Sequence, residues 1–280
     1  MDESRGGEKS RGRRPWPYAA VQVAVDAAVY RIQRREAANL LATMSLLFFR
    51  GATVTEFVLR TTFAALLNLF IYLFNDLCDV ELDLKAPSKD RAKTTFLFEH
   101  RQAAKVALGV LFFVLFAMAL FGGRILLYAL FVNVGLDLLY SLWLKRVPLV
   151  DIVLTAMWGF SMTLCGVLER DIPHALLLAG YLGLVSACFE VIQVIRDEPS
   201  DRQAGLRTTG TVLGVKGATW LFRMLALGTG AYAVGVLGSV AGYALVLGVV
   251  LPLDPERASR SWDLARGLFG AVWLALLVGV

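Results

Sequence analysis

Two acidic stretches hold the side chains best suited to chemistry: NDLCDVELD at 75–83 and EVIQVIRDEPSDRQAG at 190–205. The first follows LLNLFIYLF, an apolar run fit for the middle of a bilayer. Ionisable groups at a membrane boundary are costly to place there and are usually functional. Asp76, Asp79 and Asp83 are spaced i, i+3, i+7, so on a continuing helix they share a face, which Asn68, Tyr72 and Asn75 extend inward. Carboxylates at a helix C-terminus oppose the macrodipole, and a divalent cation would offset them. The plainer alternative is solvated or lysine-paired helix-end carboxylates. In the second stretch Glu190, Gln193, Asp197 and Asp201 repeat the 3–4 spacing. If Pro199 ends the helix, Asp201 sits in the loop instead.

Hard carboxylate and amide oxygens, with no Cys or His in an ordered pattern, suit Mg²⁺, Mn²⁺ or Ca²⁺. The dispersed Cys78, Cys165, Cys188, His100 and His174 support neither a zinc site nor a disulfide framework. Interleaved Lys85, Lys89, Arg91, Lys93, Arg196 and Arg202 add phosphate donors. Carboxylate–metal–phosphate bridging therefore implies a diphosphate ligand, and the apolar wall behind it implies a hydrocarbon chain.

These clusters must be positioned by helices in lipid. The 280-residue chain is 57% hydrophobic and 18% charged, against about 25% charged in a soluble domain. Its apolar residues gather in blocks near the ~20 residues that span a bilayer. The blocks predict about nine spans, at 37–57, 58–77, 103–121, 124–144, 148–168, 173–195, 215–236, 238–252 and 264–280. An amphipathic lead-in at 19–35 is expected to lie on the surface. The fold expected is thus all-α, a polytopic membrane protein around a central apolar chamber. It has a disordered basic head at 1–17 and a single transmembrane domain at 18–280. With the N-terminus cytoplasmic, 23 Lys and Arg fall in cytoplasmic segments and only four opposite, Arg50, Arg60, Arg124 and Arg170. Both acidic clusters then share the cytoplasmic side, with the site's mouth facing the cytoplasm. No nucleic-acid partner is expected.

The two loops at corresponding span ends, together with YSLWLKRVPLVD at 140–151, resemble the signature of the UbiA superfamily of intramembrane prenyltransferases. The resemblance runs from about residue 34 onward. It implies Mg²⁺-dependent chemistry on a prenyl diphosphate. By motif position it implies metal ligation by Asn75, Asp76, Asp79 and Asp83 on one side and by Asp197 and Asp201 on the other, with Asp79, Asp83, Asp197 and Asp201 catalytic. It further implies diphosphate contacts from Lys145, from Arg34 or Arg35, from Lys89 and Arg91 in place of a family Pro/Arg segment, and from Arg202. The family's NxPxRPLPSG segment is replaced here by KAPSKDRAKTTF, and Lys-Asp before the second motif by Gln193 and Val194. The acceptor expected is aromatic or lipid-like. The altered loop keeps open a UbiA-type terpene cyclase, in which the prenyl chain captures its own cation.

Asn133, Asp137, Tyr140 and Ser141 form a polar stripe on the fourth span. It reads as an interhelical hydrogen-bond network or as a chamber lining. Tyr72, Phe74, Tyr140, Trp143, Trp158 and Phe189 could face a carbocation with their π systems, or simply pack. An ion transporter would place its site near the midplane, whereas these acids lie at one boundary.

Overall fold

The computed structural model describes residues 16–33, 38–84, 90–144 and 147–279. Arg34, Arg35, Lys89, Lys145 and the head before Trp16 lie outside the described residues.

The first helix, α1 (Trp16–Gln33), starts inside the expected head, with Pro17 in its first turn, where a missing N–H costs nothing. The helix buries Ala19, Val23 and Ala27, one residue per turn, and leaves Tyr18, Val21, Val25 and Ile32 exposed. Its buried stripe docks on the bundle, so the lead-in is more than a surface strap.

Next comes α2 (Ala38–Phe49), which stops eight residues short of the expected first span. Arg50 and Glu56 flank the turn between this helix and the next. Thr53 accepts a hydrogen bond from the Glu56 amide at 3.2 Å, and Glu56 accepts one from the Thr53 amide at 2.8 Å. This capping box opens α3 (Val54–Asp83), which runs through the whole first acidic motif. A short α4 (Arg91–Glu99), capped by Asp90, leads to α5 (Arg101–Gly122) and α6 (Arg124–Leu139). The last continues as a π turn, Tyr140–Leu144.

The second half comprises α7 (Val150–Thr163), α8 (Ile172–Gln203), α9 (Thr209–Gly235), a 3₁₀ segment (Val240–Val250) and α10 (Ala258–Val278). Pro199 does not end α8, so Asp201 lies on the helix. Within α9, Gly214 adopts φ +64°, a kink that explains why the expected span began at 215.

Each of the nine expected spans has a helical counterpart among the described residues. Five helices are long and apolar enough to cross a bilayer, whereas Ala38–Phe49, Val150–Gly166 and Val240–Val250 are shorter. By length and composition, then, five of the described helices are candidate crossings. Phe113, Phe121 and Val250 point outward, as lipid-facing side chains do in an integral membrane protein.

Two apolar cores fill the bundle. Val23, Phe63, Leu67, Leu73 and Leu115 centre one, built from α1 and α3–α6. Leu46, Tyr181, Val191, Phe222 and Phe269 centre the other, built from α2 and α7–α10. Leu164 packs against both, and Tyr72 meets Trp158 across the seam with ring centroids 6.4 Å apart. One acidic motif ends a long helix in each half.

The four arginines counted on the far side are all engaged. Arg50 pairs with Asp171 at 3.0 Å, Arg170 with Glu56 at 3.0 Å and Arg124 with Glu169 at 3.9 Å. Buried Arg60 donates to the carbonyls of Val167 at 2.7 Å and Gly122 at 3.3 Å.

Candidate active site

The acid face of α3 divides in two. Asn75, Asp76, Asp79 and Asp83 are all half-buried. At 100° per residue Asn75 and Asp79 stack one turn apart, while Asp76 turns aside. Arg31 of α1 donates from Nη2 to Asp76 Oδ1 at 2.9 Å, and Lys93 of α4 donates to Asp76 Oδ2 at 2.7 Å. The Arg31 guanidinium lies 4.2 Å from the Tyr72 ring centre, and the Lys93 ammonium 4.0 Å from that of Tyr30. Two cations from separate helices thus offset the carboxylate that opposes the α3 dipole. A cleft lined by Val23, Asp26, Leu73, Asp76, Lys93 and Phe96 opens beside them.

Asn75 looks the other way, toward α6. Its Oδ1 lies 3.4 Å from the Ser141 hydroxyl, which is itself 3.2 Å from Asp137 Oδ1. Higher on α6, Asn133 accepts from Ser161 of α7 at 2.9 Å. The polar stripe is therefore an interhelical network, and its lower end reaches the acid motif.

On α8, Arg196 chelates Asp197 through Nε at 2.8 Å and Nη2 at 3.1 Å. Glu198 is buried and accepts from Arg202 Nε at 2.6 Å, so the expected diphosphate donor is held one turn from its own carboxylate. Asp201 lies near the end of α8, and its backbone carbonyl accepts from the Leu206 amide at 2.9 Å in the turn before α9. Arg91 is exposed at the start of α4.

Tyr140 is the first residue of the π turn. Asp79 of the first motif and Asp197 of the second both act electrostatically on its hydroxyl, as do Glu190 and Asp151. Asp79 and Asp197 belong to different halves of the bundle and to helix ends far apart in sequence. π turns recur at functional sites because they re-aim side chains. The adjoining loop is strained as well: Leu149 sits at φ +70°, a left-handed conformation rare for such a residue. Thr209 holds that loop, accepting from the Leu149 amide at 2.7 Å and donating to Asp151 at 2.6 Å. Gly210 makes this docking possible. A Cβ there would stand 2.6 Å from the Val194 carbonyl oxygen of α8.

Among the aromatics, Phe74 stacks on Phe70, Phe189 packs on Trp262 and Phe269, and Trp143 is exposed. Packing accounts for Phe74 and Phe189, whereas Trp143 faces outward. Lys93 was expected from sequence as a phosphate donor, whereas Arg31, Tyr30 and Thr209 were not singled out. The Tyr30–Arg31 pair at the end of the buried stripe of α1 was the available signal for two of them.

Among the described residues, no three His, Cys, Asp or Glu side chains close into a metal cage. The donor set is instead two separated groups of hard oxygens.

The chain is an all-helical bundle of long apolar helices, with an acidic motif at the end of a long helix in each half. The UbiA prenyltransferase family model matches residues 37–256, and the chain belongs to that family. It is 29% identical over 204 residues to the lycopene elongase/hydratase of Haloferax volcanii, a match covering 68% of this chain and 66% of that protein. A UbiA homologue from Archaeoglobus fulgidus, solved bound to DMAPP and Mg²⁺, superposes with a TM-score of 0.66 at 16% identity, over 90% of this chain and 99% of that one. A digeranylgeranylglyceryl phosphate synthase gives a TM-score of 0.67 at 14% identity, covering 93% and 98%. At these identities the two structures share the fold with this chain.

Proposed function

We propose that this protein is a Mg²⁺-dependent intramembrane prenyltransferase that ionises a prenyl diphosphate and transfers the prenyl group to a lipid-like or aromatic acceptor. The observation that carries the reading is that Asp79 and Asp197, from different halves of the bundle, both act electrostatically on Tyr140. The donor set fits Mg²⁺: oxygen-only and incomplete, as suits an ion that keeps waters and is completed by substrate phosphates. Asn75, Asp79 and Asp83, with Asp76 beside them, would hold one ion, and Asp197 and Asp201 the other. Bound there, the ions neutralise diphosphate charge as the allylic C–O bond breaks.

The chain's own groups do the rest. Arg31 and Lys93, already aligned at the first motif, supply cationic donors beside it, and Lys89, Arg91, Arg34, Arg35, Lys145 and Arg202 complete the diphosphate contacts. Arg202 must exchange Glu198 for phosphate to take part. The prenyl chain lies along the apolar seam, where water that would quench the cation is excluded. Trp158, at the seam, is the aromatic best placed to face that cation.

The basic head at 1–17, adjoining one transmembrane domain at 18–280, places the N-terminus and the site's mouth at the cytoplasm. The 23-to-4 charge asymmetry supports this, as does the internal pairing of the four far-side arginines. The Haloferax relative is named for lycopene, a polyene with no aromatic ring, which favours a lipid-like acceptor. The altered KAPSKDRAKTTF segment favours the cyclase as a second reading.

The experiment is product analysis with geranyl, farnesyl and geranylgeranyl diphosphates in Mg²⁺, alone and with lycopene or a hydroxylated aromatic acid. Acceptor-dependent prenylation is expected. Cyclic hydrocarbons without acceptor would establish the cyclase, and intact diphosphates throughout would overturn both.

A further inference from the structure

Ser141 has one proton and two acceptors in reach: Asp137 Oδ1 at 3.2 Å and Asn75 Oδ1 at 3.4 Å. A hydroxyl donates once, so the chain of three side chains has only two possible polarities. In one, Ser141 donates to Asp137 and its lone pair receives the Asn75 NH₂, leaving the amide oxygen turned away from Ser141. In the other, Ser141 donates to the Asn75 oxygen and occupies it. The amide ends are interchangeable in shape, so the hydrogen bonds decide which is present.

We propose that Asp137 is a positioning residue that, through Ser141, holds the Asn75 amide with its oxygen free on the acid face of α3. The inference rests on the metal reading given under Proposed function. Asp137 is 5% exposed and Ser141 7%, so water does not compete well for either. A carboxylate outcompetes an amide oxygen as acceptor and so draws the serine proton to itself. Asp137 Oδ2 is also buried without a hydrogen-bond partner among the described residues. Burying a carboxyl so incompletely satisfied is costly for a group with a packing role alone. The serine proton thus goes to Asp137, and Asn75 keeps an oxygen for a cation.

The test uses the full chain in detergent and Mn²⁺ alone, with free Mn²⁺ read from its EPR signal. Asp137→Leu releases the serine proton to Asn75 and weakens Mn²⁺ binding about fivefold, the worth of one competing hydrogen bond. Asp137→Asn, whose carbonyl still accepts, stays within about twofold of the native chain. Adding Ser141→Ala to Asp137→Leu restores the native affinity, because no hydroxyl remains to occupy Asn75. A role in packing or stability would not be rescued by a second deletion. Unchanged Mn²⁺ affinity in Asp137→Leu, or a loss that Ser141→Ala does not relieve, overturns the proposal. Asp137→Ala is read the same way if the leucine variant does not fold. An Asp79→Ala arm separates the two levels: retained Mn²⁺ binding there refutes the metal reading beneath the proposal, whereas loss there with no effect at Asp137 refutes the relay alone.

Discussion

Removing the charge of Asp76 should loosen α1 from the rest of the bundle. The carboxylate receives Arg31 at 2.9 Å and Lys93 at 2.7 Å, and all three side chains are at least four-fifths buried, at 13%, 20% and 16% exposure. Hydrogen bonds to charged groups contribute about 1.5–3 kcal/mol each in mutational series. Asp76→Asn keeps one acceptor oxygen and loses the charge, leaving two adjacent cations without their shared anion. Allowing for partial solvent screening, the loss is about 2–3 kcal/mol. What remains on α1 is the small apolar stripe of Ala19, Val23 and Ala27. Hydrogen exchange in detergent should therefore accelerate across α1 and α4 by about 30- to 150-fold in Asp76→Asn, with α8 and α9 unchanged. Combining the exchange with Arg31→Gln should give much less than the sum of the single effects, since the two act through one contact. Unaltered exchange in α1, or full additivity, would refute the claim that this pairing anchors the helix.

Three further outcomes follow from local geometry. Gly210→Val would force α9 away from the Val194 carbonyl and cost about 1–3 kcal/mol, read as a lower thermal midpoint together with reduced turnover, since Thr209 would leave Asp151. Thr53→Ala removes the capping box of α3 at the far end and should cost about 1 kcal/mol while leaving the KM for prenyl diphosphate unchanged. Arg60→Ala strips donors from the buried carbonyls of Val167 and Gly122 and should cost about 3 kcal/mol, measured by denaturation in mixed micelles.

The helices were legible because lipid demands long apolar segments, and such blocks stand out in a sequence that alternates little. The break between α2 and α3 falls inside one expected span, 37–57, although Thr53 and Glu56 carry the capping-box spacing that opens α3. The acid residues announced themselves by their cost in a membrane. Their partners did not. Arg31 lies 45 residues from Asp76, and the pairing depends on how α1 docks. Nor does any local pattern encode the π turn at Tyr140–Leu144 or the left-handed Leu149, both of which arise where α6, α7 and α9 are forced together. Spacing alone put Asp76 on the Asn75 face. The structure turns it toward two cations, because one residue of helix rotation is enough to choose a different neighbour.

The central claim is that Asp79 and Asp197, from opposite halves of the bundle, serve one diphosphate. Its most direct test is Mg²⁺-dependent release of diphosphate from a prenyl diphosphate by the purified chain, compared with Asp79→Ala and Asp197→Ala. The account predicts that each single exchange lowers release at least about 100-fold, as loss of a group stabilising the leaving charge does. Near-native release by either variant would contradict it.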